Sequence, residues 1–153
     1  MAVILDFRLD EDVLAENRRG HPSAADPAVL GTTWFVMPIR FSVDETDLLD
    51  TSNNVWLQQP LLGFATHMSL ALNLPHSTGA ATCLVTGAGT LRLQQRGERV
   101  RLSCSFNGAR AEASIGELTA AIKGFLKRVE ASLRTLVPDL TGHPSWPTWF
   151  PAS

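Results

Sequence analysis

Apolar and polar residues alternate along two segments between residues 90 and 106, which is typical of strands with one buried face. Gly97 marks a reversal between them. If Arg96-Gly97 forms a two-residue loop, the apolar residues of both strands fall on one side of the sheet. The predicted cross-strand pairs are Leu93 with Val100 and Leu91 with Leu102.

A second reversal follows at Asn107-Gly108. Asn-Gly favours a type I′ hairpin, because both central residues of that turn need a positive φ. Such a turn would place Phe106 opposite Ala109 and Cys104 opposite Ala111. The pattern therefore predicts three antiparallel strands that share one apolar face.

A helix is predicted from Ser114 to Val137. Ser114 and Glu117 have the spacing of a capping box, in which each side chain accepts from a backbone N–H of the other residue. Apolar residues then recur every three or four positions until Pro138, which cannot continue a helix. An apolar helix face beside an apolar sheet face indicates an α+β packing.

The rest of the chain adds shorter elements to this pattern. We predict strands at 3–9, 33–43 and 82–86, and an apolar helix at 60–74 that Pro60 opens at its first position. Because Pro38 cannot donate to a ladder, we expect its strand to lie at an edge or to carry a bulge. The predicted fold is α+β, with an antiparallel sheet of about five strands packed against two helices in a single layer on one face.

The length of 153 residues suits one domain, so we expect a single α+β domain over 1–153. Residues 10–31 have the composition of a loop region, with a short helix around 13–17. Residues 139–153 hold two tryptophans and a phenylalanine, and we expect this aromatic tail to dock on the domain.

Composition and charge limit the classes of protein to which this chain can belong. The formal charge of −2 and the pI near 6.0 give no overall reason to expect nucleic acid. No apolar run reaches the ~20 residues that span a bilayer, and no signal segment is visible, so we expect neither membrane association nor secretion. Cys83 and Cys104 lie in apolar contexts, which favours buried free thiols and a cytoplasmic location.

Motifs of catalysis are nearly missing from the sequence. The four histidines lack the close pairing of zinc ligands, and we expect no metal and no cofactor. His67 stands apart because it lies within the apolar helix, where a hydrogen-bonded histidine at the margin of the core is the commoner arrangement. An enzyme or small-molecule binder remains the alternative, with a pocket between that helix and the sheet lined by Trp56 and His67.

Four carboxylates crowd a connector after the strand at 33–43, namely Asp44, Glu45, Asp47 and Asp50. Calcium is disfavoured, because Leu48 interrupts the series and no glycine supplies the turn of a calcium loop. A solvated loop is the ordinary interpretation. The functional interpretation is an acidic surface that docks a protein partner.

Charge is segregated along the chain. Residues 1–60 hold four Arg and ten Asp or Glu, whereas residues 90–137 hold nine Lys or Arg and four Glu. The predicted outward side of the meander carries four arginines and would set Arg92 directly across from Arg101, which favours a covering anion. The ordinary interpretation is a solvated sheet face, or one covered by the acidic first half of the chain. The four residues of this candidate anion-facing surface are Arg92, Arg99, Arg101 and Arg110.

The order of elements resembles that of known proteins: a strand, an acidic connector, Trp56-Leu57 before a helix, an antiparallel meander and a capped helix. Over residues 33–137 this layout is similar to small cytosolic immunity proteins of bacterial polymorphic-toxin systems, and to small uncharacterised actinobacterial proteins. The resemblance implies a non-catalytic protein that blocks a toxin, often through an acidic surface. We therefore expect a protein-binding domain, of the immunity-inhibitor type, with a protein as its partner.

Overall fold

A computed structural model describes residues 2–20, 26, 30, 34–52, 54–72 and 79–151, except for the Arg18 side chain. These residues form an α+β fold, as predicted, but with two four-stranded antiparallel sheets instead of one sheet of about five strands. The strands are β1 Val3–Phe7, β2 Val36–Val43, β3 Thr46–Asp47, β4 Leu57–Pro60, β5 Ala80–Val85, β6 Gly89–Arg96, β7 Arg99–Cys104 and β8 Arg110–Ser114. The α-helices are α1 Glu11–Arg19, α2 Leu61–Ala71, α3 Ile115–Leu136 and α4 Trp146–Trp149.

The first sheet is built around β2. Strand β1 pairs along one side of it, while β3 and β4 share the other side. The prediction that Pro38 marks an edge strand or a bulge is therefore wrong, since β2 is central and its register is unbroken. The backbone N–H of Arg8 donates to the Pro38 carbonyl at 3.0 Å, but proline has no N–H to return the bond, and β1 ends at Phe7.

The second sheet is a meander in the order β5-β6-β7-β8. None of its strands pairs with a strand of the first sheet. Gly97 and Glu98 turn the chain between β6 and β7, with Gly97 at a φ of +62°, so the register differs from the predicted one by two residues. A shift of two keeps every side chain on its face, and the shared apolar face survives. The observed pairs are Leu93 with Leu102 and Leu91 with Cys104.

The hairpin at Asn107 also departs from its prediction, because the last bonded residues, Cys104 and Ala109, have four residues between them rather than two. Only Gly108 has a positive φ, of +69°. The Asn107 carboxamide oxygen accepts from the Ala109 N–H at 2.9 Å, while its NH₂ group donates to the carbonyls of Leu48 and Asp50 at 2.8 and 2.9 Å. The side chain thus connects the turn to the residues that follow β3 in the first sheet. These two long-range bonds accompany a turn that is not of type I′. The observed pairs are Leu102 with Ala111 and Val100 with Ala113.

Helix α3 confirms the predicted capped helix, since the Ser114 hydroxyl accepts from the Glu117 N–H at 3.2 Å. Helix α2 starts one residue after the prediction, with Pro60 in the N-cap position instead of the first helical one. Helix α1 occupies nine residues of the segment expected to be mainly loop, and the Asp10 carboxylate caps its first turn.

Phe125 of α3 lies at the centre of the core. Its ring contacts Phe7 of β1 and Phe64 of α2 edge to face, with centroids 5.7 and 5.9 Å apart. Helices α2 and α3 pack against strands of both sheets, so they are not a layer on one face of a single sheet. In the tail, Trp146, Trp149 and Phe150 are buried and α4 contacts α2.

Gln59 joins the two sheets. This β4 residue is 1% exposed, and its carboxamide makes a reciprocal pair with the Thr86 backbone. Its NH₂ group donates to the Thr86 carbonyl and its oxygen accepts from the Thr86 N–H, both at 2.8 Å. A second N–H donates to the Gln58 carbonyl at 2.8 Å, so every polar atom of this buried side chain is used.

Candidate functional site

The outward face of the meander, which points away from the core, has four cross-strand rows and is polar apart from Leu84 and Ala80. The first row contains Leu84 and Thr90. The register sets Thr82, Arg92, Ser103 and Arg110 side by side in one row. The next row along the strands contains Gln94, Arg101 and Glu112, and the last pairs Arg96 with Arg99. Together β5 to β8 present five arginines and one glutamate on this face.

An open groove of about 980 Å³ runs over this face. We call it the basic groove. It is lined by Arg92, Arg101 and Arg110 with hydroxyl groups between them, so it offers charged and neutral hydrogen-bond donors together. The hydroxyl residues in its wall are Thr90, Ser103 and Ser105.

Three of the four arginines predicted to face an anion form no ion pair among the described residues, although Glu112 lies directly opposite Arg101. Arg99 is the exception, because its Nε lies 2.7 Å from the Glu112 carboxylate. Arg92, Arg101 and Arg110 are exposed, and no ion pair reaches them among the described residues. Cover by the acidic first half of the chain, one alternative from the sequence, is therefore not observed over these ranges.

The predicted pairing of Arg92 with Arg101 is wrong. Arg92 lies opposite Ser103, and Arg101 lies opposite Gln94, because the hairpin register is shifted. Arg92 and Arg110 are two strands apart, about 10 Å at the usual strand spacing. Two unit charges at about 10 Å in water repel by only about 0.4 kcal/mol, so the empty groove tolerates them. An anion between them would gain from all three charges.

The acidic connector, Asp44–Asp50, is engaged within the molecule. The Asp44 carboxylate accepts from the Ala2 N–H at 2.8 Å, and Asp44 has a φ of +53°. Asp47 lies in β3 and pairs with Arg40 at 2.8 Å. Glu45 is exposed. Two of the four predicted contact residues therefore hold the first sheet together.

Asp50, the fourth, is partly buried. One of its carboxylate oxygens is shielded from water and has no hydrogen-bond partner among the described residues, while its backbone carbonyl accepts from Asn107. The connector as a docking surface stays a prediction, now with a single exposed and unengaged member, Glu45.

The pocket between α2 and the sheet, with Trp56 and His67 in its lining, stays a prediction. The guanidinium of Arg8 stacks on the Trp56 ring, 4.0 Å from its centroid. His67 is half-buried, and burial lowers the pKa of its imidazole below the ordinary 6.5. Its backbone carbonyl, not its ring, accepts from the Cys83 thiol, at 3.8 Å.

Both cysteines are buried and free, as the sequence predicted. They flank Leu91 on neighbouring strands, which puts them two strands apart, about 10 Å, too far for a disulfide. Burial raises the pKa of Cys83 to about 12 and that of Cys104 to about 11. Such thiols stay protonated at neutral pH and are poor nucleophiles.

Within the described ranges, no three His, Cys, Asp or Glu side chains are placed to hold a metal ion. Of the described helices, none has the length and apolar character that crossing a bilayer requires. His143 is buried with its ring 5.0 Å from Trp149, while His21 and His76 lie outside the described residues.

Sequence reasoning missed the hydroxyl residues of the basic groove and the role of Gln59. The groove residues were within reach of the sequence, because period-two alternation puts Thr90 and Ser103 on the same face as Arg92 and Arg101. Gln59 had no such signal, since its partner Thr86 is 27 residues away.

Comparisons with known proteins add no assignment. The chain matches no protein-family model, no curated protein and no solved structure. The likeness in layout to immunity proteins therefore stays a hypothesis, and function is argued from the basic groove.

Proposed function

We propose that this protein is a non-catalytic binding domain that holds an acidic segment of a partner protein in the basic groove. One observation carries the proposal: Arg92, Arg101 and Arg110 line one open groove and form no ion pair among the described residues, while the one carboxylate of the groove, Glu112, is paired with Arg99. Guanidinium groups bind carboxylates with paired hydrogen bonds, and the neighbouring hydroxyls add neutral donors.

A protein partner fits this face better than a nucleic acid. Recognition of single-stranded nucleic acid relies on aromatic rings that stack on the bases. The four rows of the outward face contain no aromatic residue, and the nearest, Phe106, lies in the turn and packs partly against the core. The groove combines arginines with hydroxyl groups and one glutamate, and such a mixture of charged and neutral polar groups is suited to a protein segment that carries both acidic and neutral side chains.

The other two candidates have less structural support. Most of the acidic connector is engaged in the first sheet. Around His67, the nearby thiol is protonated and bonds to a carbonyl, so no base and nucleophile are paired. A more specific form of the proposal is that the partner is a bacterial toxin. This form rests only on the order of elements along the chain, which resembles that of immunity proteins. Two free buried thiols favour the reducing cytoplasm as the place of the encounter.

The test is a pull-down from source cells followed by binding kinetics at two salt concentrations. The bait proteins are wild type, the triple variant Arg92→Gln, Arg101→Gln and Arg110→Gln, and a matched control. The control removes three positive charges from exposed helix positions, Arg19→Gln, Lys123→Gln and Lys127→Gln. We expect wild type and the control to capture the same acidic protein.

The triple variant should bind that protein at least tenfold more weakly, mainly through a slower association rate. The difference should shrink from low salt to about 0.15 M, where the Debye length is about 8 Å. Equal losses in the variant and the control would show a non-specific charge effect and would contradict the proposal. Tighter binding to an oligonucleotide than to the captured protein would also contradict it.

A further inference from the structure

Strand β5 lies at an edge of the meander, and its outward backbone groups are open at Thr82 and Leu84. The Gln95 N–H donates to the Gly79 carbonyl, which fixes the alternation of the β5–β6 ladder. The backbone groups of Ala81, Cys83 and Val85 consequently point at β6, whereas those of Thr82 and Leu84 point away from it. In the described part of the chain, nothing accepts from or donates to these four outward groups of Thr82 and Leu84.

Two residues beyond Leu84, at Thr86, the same edge already pairs with an amide group, the carboxamide of Gln59. Thr86 also directs its N–H and carbonyl away from β6, and there the Gln59 carboxamide completes both bonds at 2.8 Å. The carboxamide takes the place that a peptide group of a neighbouring strand would occupy. The edge therefore has the geometry to pair with another backbone. On this edge the Gln59 side chain pairs with Thr86 alone, so it leaves Thr82 and Leu84 unpaired.

Thr82 and Leu84 are both exposed, and the Leu84 side chain retains 54% of its accessible surface. A bare edge strand with an exposed leucine favours pairing with another chain. Thr82 is the direct cross-strand neighbour of Arg92, which lines the basic groove. The open edge and the basic groove therefore belong to one continuous surface.

We propose that the partner pairs an extended part of its chain, next to the acidic segment in the basic groove, as an added strand along β5, with its backbone paired to Thr82 and Leu84 and its outward side chains directed to Arg92. This inference rests on the function proposed above and specifies how the partner binds. Backbone pairing supplies affinity in such strand addition, and alternate side chains supply specificity.

The side chains of the added strand would alternate between two environments. Those on the outward face meet Leu84, Thr82 and, one strand further, Arg92, so acidic and apolar residues both fit there. Those on the inward face approach α2, which packs under β5 where Cys83 contacts the His67 carbonyl. We therefore expect an extended segment in which Glu or Asp alternates with apolar residues.

A second copy of this chain fits the edge less well. Pairing β5 with β5 of another copy would join two outward faces that each carry five arginines and one glutamate. An acidic segment complements this charge, whereas a second copy repeats it.

The test uses a dye-labelled peptide of ten residues that alternates Glu and Val, and a version N-methylated at every second amide. Thr82→Pro removes only an outward N–H, so it costs no bond of the β5–β6 ladder. Thr82→Val keeps that N–H and serves as the matched comparison. Thermal melts establish that each variant folds, and the methylated peptide tests the pairing in wild type itself.

We expect Thr82→Pro to bind the peptide at least tenfold more weakly than Thr82→Val, and wild type to bind the methylated peptide at least tenfold more weakly than its parent. Equal binding of both peptides by wild type would overturn strand addition. If the arginine triple variant still lost affinity in that case, the proposed function would stand and only the edge inference would fail. A wild-type dimer that Thr82→Pro converts to a monomer would overturn the peptide assignment in favour of a second copy.

Discussion

Leu102 lies at the centre of the inward face of the meander, opposite Leu93 on one side and Ala111 on the other. It is fully buried. Leu102→Ala should lower the free energy of unfolding by about 2 to 5 kcal/mol, through lost burial and the cavity left between the strands and the core. Urea denaturation of both proteins measures the change. A loss below about 1 kcal/mol would contradict the observed packing of this residue.

His67 gives the fold a dependence on pH. Burial lowers its pKa in the folded state, so the unfolded chain binds a proton more readily near the ordinary pKa of 6.5. The stability that this histidine contributes is complete above pH 6.5 and is lost as the pH falls through its lower folded pKa. The neighbouring Cys83 thiol stays neutral throughout, since its pKa is about 12.

We therefore expect wild type to lose more unfolding free energy between pH 7.5 and pH 5.5 than His67→Gln does. Urea midpoints at the two pH values provide the measurement, and the other histidines contribute equally to both proteins. The same loss in both would show that His67 is not the titrating group.

At the scale of elements, helix α3 depends on its first turn. Ser114→Ala removes the acceptor of the Glu117 N–H and should cost about 1 kcal/mol of unfolding free energy. Ser132→Ala, in the interior of the same helix, is the matched control and should be neutral or stabilising by a few tenths of a kcal/mol, because alanine has the higher helix propensity. Chemical denaturation that gave both variants the same stability would place the helix start elsewhere.

Elements specified by local signals could be predicted from the sequence. The cap at Ser114, the apolar periodicity of α3 and the alternation of β6 and β7 each act within a few residues. The register of the β7–β8 hairpin could not be predicted, because the turn at Asn107 also bonds to Leu48 and Asp50, far away in the chain. The β6–β7 register differs because Gly97 and Glu98, rather than Arg96 and Gly97, form the turn. The two-residue strand β3 was missed for a similar reason, since its place beside β2 is set by the turn and not by a pattern of its own.

The acidic connector shows the same limit at the candidate site. The sequence predicts four solvated carboxylates, but the bond of Asp44 to Ala2 and the ion pair of Asp47 with Arg40 arise only after β1, β2 and β3 have assembled. For the arginines, alternation alone sufficed to predict the outward face. Which of them pair with glutamate depended on the register.

At the scale of the whole molecule, Gln59 is the polar link between the first sheet and the meander. Gln59→Ala removes three hydrogen bonds and should lower the unfolding free energy by about 2 kcal/mol. Gln58→Ala, an exposed neighbour, should change it by less than about 0.5 kcal/mol. Equal small effects in urea melts would show that packing alone joins the sheets.

The three candidate surfaces lie on different parts of the molecule, which allows one experiment to separate them. The basic groove and the β5 edge belong to the meander, the acidic connector to the first sheet, and His67 to α2. Backbone amide signals report each of these regions independently.

The most direct test is a titration of the ¹⁵N-labelled protein with the unlabelled peptide of alternating Glu and Val, followed by amide NMR spectra. Binding in the groove and along β5 should shift most strongly the amides of Thr82, Leu84, Arg92, Arg101 and Arg110, and the shifts should saturate. Shifts confined to the connector at 44–50 or to the surroundings of His67, with the meander unchanged, would contradict binding of an acidic segment on the outward face.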